Sequence, residues 1–219
     1  MSSIKSNLTF SFFNFTYLFI SNIFKKILGF FRELILAFVF GSSIIYANYL
    51  LLKTITDFLS QFTFGNALQA NLLPKFSKLF KDHESLNLNS VNVFSKKIAL
   101  LIFIISLIIR LILIFLFIKK SYLLLIITAL ILSSILSTNF YNSIFLTFLQ
   151  AKAEFKKFAI ATSFNVFIAT FFVYPLSFLF SIVGTAISRL IGVVCLTLVY
   201  IKPLFKKDAL NSLRLGMST

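Results

Sequence analysis

Apolar residues fall in long runs along this chain, separated by short polar breaks. A helix needs about 20 predominantly apolar residues to cross a bilayer. Six such runs are present, at roughly 10–40, 44–73, 91–118, 122–149, 158–180 and 185–201. Gly41-Ser42-Ser43 ends the first, which is long enough to require a tilt or a bend. Pro74 closes the second, and the polar link from Lys75 to Ser90 follows, with Lys78, Lys81, Asp82, His83 and Glu84. Lys119-Lys120-Ser121 makes a tight connection, and Lys152, Glu154, Lys156 and Lys157 form the next polar link. Pro175 sits near the end of the fifth run, Ser181 to Gly184 turns the chain, and Lys202-Pro203 stops the sixth. The runs are apolar on both parities, as in Leu100 to Ile109, which excludes the alternation of barrel strands and leaves helices as the spanning element. The pattern predicts an all-α, polytopic transmembrane helix bundle of about six spans. It forms a single unit over 1–219, with a tail from 202 to 219 holding Lys206, Lys207 and Arg214.

Composition agrees. Hydrophobic residues make up 59% of the chain and charged ones 12%, against about 25% charged in a soluble domain. The net charge of +15 would point to nucleic acid in a soluble protein. Here the apolar runs leave no room for a nucleic-acid-binding domain, and the cations fit loops beside anionic lipid. With the N-terminus inside, Lys5, Lys75, Lys78, Lys81, Lys152, Lys156, Lys157, Lys202, Lys206, Lys207 and Arg214 fall on the cytoplasmic side. Only Lys119 and Lys120 fall opposite. Both termini are therefore expected in the cytoplasm, and the first helix is expected to be retained, because no small-x-small cleavage site follows it.

Some chemistry is excluded by motif. Cys195 is the single cysteine and His83 the single histidine, so an internal disulfide and a cysteine metal cluster are ruled out. No G-x-x-x-x-G-K-[ST], Asp-x-x-Asp or His-Glu-x-x-His occurs. Neither an enzyme nor a cofactor is expected.

The charges inside the apolar runs carry the functional signal. Lys25-Lys26-Ile27-Leu28-Gly29-Phe30-Phe31-Arg32-Glu33 places three cations and one carboxylate within the first span, where a charge costs roughly 2.5–3.5 kcal/mol on insertion scales. Lys25, Gly29 and Arg32 share one helix face, and Gly29 leaves open surface between the cations. Two readings stand. Either these cations face a cavity and bind a phosphate or pyrophosphate, or Lys25 and Lys26 mark a membrane edge and Arg32 pairs with Glu33. Lys53 and Asp57 stand at i, i+4 in the second span, as an ion pair or as part of the same positive cavity. Asn48, Gln61, Asn66, Gln69 and Asn71 make that span too polar to face lipid all round. Arg110, deep in the third span, has no acid within a turn and fits a cavity or interhelical role. Arg189 reads as reaching the interface. Gly184, Ser188 and Gly192 form a small-residue stripe for close helix packing.

The order Phe24-Lys25-Lys26-Ile27-Leu28-Gly29-Phe30-Phe31-Arg32-Glu33, then Ala37-Phe38-Val39-Phe40-Gly41-Ser42, resembles the first-helix signature of the MviN/MurJ lipid II flippases. The resemblance continues through Ala67 to Pro74-Lys75-Phe76. More loosely, Leu149 to Phe158, Asn165 and Gly184 to Pro203 resemble the family's fourth to sixth helices. It implies one lobe of a transporter of the multidrug/oligosaccharidyl-lipid/polysaccharide exporter superfamily, in a bacterial inner membrane. The implied cargo is a polyprenyl-pyrophosphate-linked glycan, as in peptidoglycan or surface-polysaccharide synthesis, moved by alternating access. Lys26 and Arg32 then stand at family arginines and Glu33 at the family acid. Ala47, Ser60-Gln61 and Gly65-Asn66 replace charged family positions, which points away from lipid II toward another polyprenyl-linked glycan. The expected substrate-binding set is Lys25, Lys26, Arg32, Glu33, Lys53, Asp57 and Arg110. The chain supplies one bundle where the family has two, so a second half-transporter or a second copy is an expected partner. A non-transporting accessory subunit, a truncated remnant and a small-molecule exporter are the alternatives.

Overall fold

The computed structural model describes residues 2–64, 66–81, 88–117 and 122–203, with side chains from Phe15 onward apart from those of 62–69, 79–90 and 117. Among these residues six α-helices are described: α1 Ser2–Phe40, α2 Ile44–Phe64, α3 Asn66–Lys81, α4 Leu88–Phe117, α5 Tyr122–Ala151 and α6 Phe155–Leu196. A π-helical extension, Thr197–Ile201, continues α6. Every regular element among the described residues is helical. His83, Lys119-Lys120-Ser121 and the tail from residue 204 lie outside the described residues.

Among the described residues, three segments are long and apolar enough to cross a membrane: Val91–Leu116, Tyr122–Ala151 and Phe155–Ile201, with mean hydropathies of 3.2, 2.1 and 2.2. Their outward faces carry exposed large apolar side chains such as Phe115 and Phe178, which is the pattern of a helix that meets lipid.

The turns follow local chemistry. α1 stops at Gly41, whose φ of 53° is left-handed and whose N–H donates to the Ala37 carbonyl at 2.9 Å, a conformation glycine enters without steric cost. Ser43 then caps α2, its Oγ accepting from the Tyr46 N–H at 3.3 Å. Over the expected span 44–73 the described residues are helical, in α2 and in the start of α3, with Gly65 outside the described residues. Pro74 does not close the run, since α3 continues through it to Lys81. A proline removes one backbone donor, and a packed bundle can supply other partners for the carbonyl it frees.

The last segment reverses on one residue. Ser181 has φ 55° and ψ −138° inside the helical run. The contacts on either side of it pair off progressively. The hydroxyls of Ser177 and Thr185 lie 2.8 Å apart, Gly192 faces Asn165 and Ala169, and the rings of Phe164 and Tyr200 stand 5.7 Å apart. Two antiparallel arms therefore lie on each side of Ser181, where the sequence places its turn. The small-residue stripe explains how close they run: a Cβ on Gly184 would overlap the Leu176 carbonyl, and one on Gly192 would lie 2.6 Å from the Asn165 carbonyl oxygen.

α5 is the central helix and packs against α2, α3, α4 and α6. It runs antiparallel to α4, as shown by Ser137 donating to the Ala99 carbonyl at 2.7 Å and Tyr141 donating to Asn92 at 3.0 Å. α1 lies along the first arm of α6, with Ser21 donating to the Ala159 carbonyl at 3.1 Å. One buried cluster joins Tyr49, Leu52, Ile114, Leu132, Ile182 and Val193. A second joins Phe76, Ala99, Leu136, Phe140, Ile144 and Phe148.

Gly192→Leu is expected to force the arms apart and destabilise the bundle by roughly 1–3 kcal/mol or more. Gly29→Ala meets open space and is expected to be neutral or stabilising by up to about 1 kcal/mol. Thermal unfolding in detergent reads both, and a Gly192→Leu protein that melts with the wild type refutes the packing account.

Candidate anion-binding layer

Four basic side chains sit at one depth. Arg32 is eight residues before Phe40, Lys53 nine after Ile44, Arg110 seven before Phe117 and Arg189 eight after Ser181. At 1.5 Å per residue this is about 10–14 Å from the helix ends on one side of the bundle. Two carboxylates join them. Glu33 Oε1 accepts from Lys53 Nζ at 2.8 Å and from Arg32 at 3.2 Å, and Asp57 Oδ1 accepts from Arg189 at 3.4 Å. The i, i+4 pairing read for Lys53 and Asp57 gives way to these longer-range partners, which tie α2 to α1 on one side and to the second arm of α6 on the other. The Lys53, Arg32 and Arg189 side chains are 15–18% exposed, while Glu33 and Asp57 are 43% and 48% exposed. Tyr46 and Tyr49 stack at 6.0 Å beside the layer.

Among the described residues α1 and α2 do not pack helix on helix beyond their connecting turn. α1 lies on α6, α2 lies on α5, and the Glu33–Lys53 pair spans the interval. The interval therefore opens onto charged groups.

Arg110 is fully buried. Its guanidinium donates to Ser133 Oγ at 2.6 Å, Thr56 Oγ1 at 2.7 Å and Ser106 Oγ at 2.8 Å. It thus joins α2, α4 and α5 through neutral oxygens, and its Nε has no partner. Arg189 Nη1 is likewise buried without one. Among the described residues the layer sets four cations against two carboxylates.

The remaining sequence candidates separate. Lys25 is half-buried and donates to Thr162 Oγ1 at 3.4 Å, about two turns from Arg32. Lys26 is exposed on the outer side of α1, away from the layer. Arg189, read from sequence as reaching the interface, belongs to the layer, where it pairs with Asp57.

Beyond the layer lies a cleft of about 300 Å³, between α2, α5 and both arms of α6, with Leu146 and Leu196 among its lining residues. Ser60, Gln61, Asn139, Ser143, Thr162 and Asn165 contribute to its wall. Asn142 also borders it but is engaged in the fold: its Nδ2 donates to the Val193 carbonyl at 3.2 Å and its Oδ1 accepts from Thr197 at 2.9 Å.

No protein-family model, no curated protein and no solved structure matches the chain.

The two kinds of charge contact predict opposite responses. Glu33→Gln leaves Lys53 and Arg32 facing a neutral amide and is expected to destabilise by about 1–2 kcal/mol, less than the roughly 3–5 kcal/mol of a fully buried pair. Arg110→Met removes a buried charge whose acceptors on Thr56 and Ser133 already donate to the Leu52 and Ala129 carbonyls, so stability is expected to hold or rise. Melting of both variants in detergent checks this; a collapse of Arg110→Met to the level of Glu33→Gln or below contradicts it.

Proposed function

We propose that the chain is one bundle of a flippase-like membrane transporter that moves a polyprenyl-pyrophosphate-linked glycan across a bacterial inner membrane by alternating access. The observation that carries this reading is the excess of two positive charges in the layer of Arg32, Lys53, Arg110 and Arg189. Ionisable groups at such depth are costly and mark ligand or ion pathways. A layer serving only to hold helices together would neutralise itself. A dianionic pyrophosphate supplies the missing charge, and a guanidinium fork matches its oxygens in pairs.

Glu33 and Asp57 have a role in release. They are the more open members of their pairs, so they occupy Arg32, Lys53 and Arg189 when the cargo is absent and yield them when it arrives. The glycan remains on the polar side of this exchange, and the polyprenyl chain stays in lipid. A second bundle, from another chain or a second copy, would close the opposite wall.

Complementation of a flippase-depleted strain, with the partner half co-expressed where a second reading frame encodes one, tests the reading. Wild type is expected to restore growth, and Arg32→Ala and Lys53→Ala to lower transport of a fluorescent polyprenyl-pyrophosphate glycan at least tenfold while inserting normally. Transport at wild-type rate in both variants overturns the role of the layer.

The expected orientation has its own test. In a Cys195→Ser background, Ser42→Cys is expected to react with an impermeant maleimide on intact cells and Lys156→Cys only after permeabilisation. The reverse pattern inverts the topology.

A further inference from the structure

We infer that the cleft walled by Gln61, Asn139 and Asn165 is a sugar-binding subsite that holds the first glycan residue next to the pyrophosphate, an inference that rests on the proposed function. The wall carries carboxamides and hydroxyls, with Ser60, Ser143 and Thr162 beside the three amides, over an apolar floor to which Leu146 and Leu196 contribute, the mixed surface that a sugar ring's polar edge and apolar face present. Among the described residues no carboxylate lines it, which disfavours a metal ion or a cationic drug. Amides and hydroxyls both donate and accept, so together they match the hydroxyl and acetamido groups of a sugar ring. The volume of about 300 Å³ sits at the lower end of small-molecule sites, roughly 300–1,000 Å³. Uncharged polar groups at this depth have no role in lipid contact, and Asn142 shows what a purely structural amide does here: both of its polar atoms are spent on α6.

Position relative to the charged layer makes the assignment specific. Gln61 lies four residues beyond Asp57 on α2, and Asn139 six beyond Ser133 on α5, where Ser133 holds Arg110. At 1.5 Å per residue these offsets are about 6–9 Å. Asn165 faces Gly192, three residues past Arg189. A pyrophosphate against the cations would place the ring bonded to it against the amides. Lys25, whose Nζ reaches Thr162, stands at the edge of the cleft, where it can accompany a ring substituent. The two halves of the headgroup are thus recognised by different chemistry, charge for the phosphates and neutral hydrogen bonds for the sugar.

Binding to the full-length chain in nanodiscs separates the two contributions. The probes are a polyprenyl pyrophosphate bearing one N-acetylhexosamine and the same lipid without the sugar. Wild type is expected to bind the sugar-bearing lipid at least tenfold more tightly. Gln61→Leu and Asn139→Leu are each expected to abolish that preference and to bind the sugarless lipid as wild type does, which also reports that they are folded. If wild type binds both lipids equally, or if both variants keep the preference, the subsite is refuted and the charged layer stands. If wild type binds neither lipid, the proposed function fails and the subsite with it.

Discussion

An apolar slab makes charge expensive, and the arrangement of this bundle follows from how its charges are matched. α2 is the hub. Through Lys53 it engages Glu33 of α1, and through Asp57 it engages Arg189 of α6. Thr56, between them, accepts from Arg110 of α4. One turn of α2 thus touches the ionic groups of three other helices. Hydrophobic contact supplies little orientation where lipid is as apolar as the side chains, so these polar contacts carry much of what fixes α2 in rotation and depth.

The layer contains two ways of keeping a cation in the bilayer. Arg110 is solvated by three hydroxyls that belong to the protein and is closed off from any outside ligand. Lys53 and Arg189 are held by carboxylates about half open to the surroundings. Hydroxyls cannot leave when a ligand approaches, whereas a carboxylate on a flexible stem can swing aside. The first device fits a permanent joint and the second a replaceable contact. Arg110 nevertheless contributes to the potential felt by anything bound nearby, since it carries its charge without an acid.

Much of the scaffold was legible because the bilayer restricts the choices. Apolar runs on both parities admit only helices, and Gly41 and Ser43 announce their turn by residue type alone. Among the described residues, three segments that take in the third to sixth expected spans meet the length and hydropathy of membrane-crossing helices. What the sequence did not disclose was pairing between distant helices. Lys53 and Asp57 look like partners at i, i+4, yet each finds a better-placed counter-charge on another helix. Arg189 looks terminal until the turn at Ser181 is known to fold its arm beside α2. The cleft escaped for a related reason: Asn139 and Ser143 on α5, and Thr162 and Asn165 on α6, show helical spacing within each element, but nothing local says that the two rows face one another across Gln61.

The reversal at Ser181 leaves no slack between the two arms of α6. With Gly184 and Gly192 seated directly on the opposite backbone, neither arm can slide without dragging the other. α1, riding on the first arm, is towed along. Any rocking of this three-rod assembly is therefore levered onto the ionic links that join it to α2, Glu33–Lys53 and Arg189–Asp57.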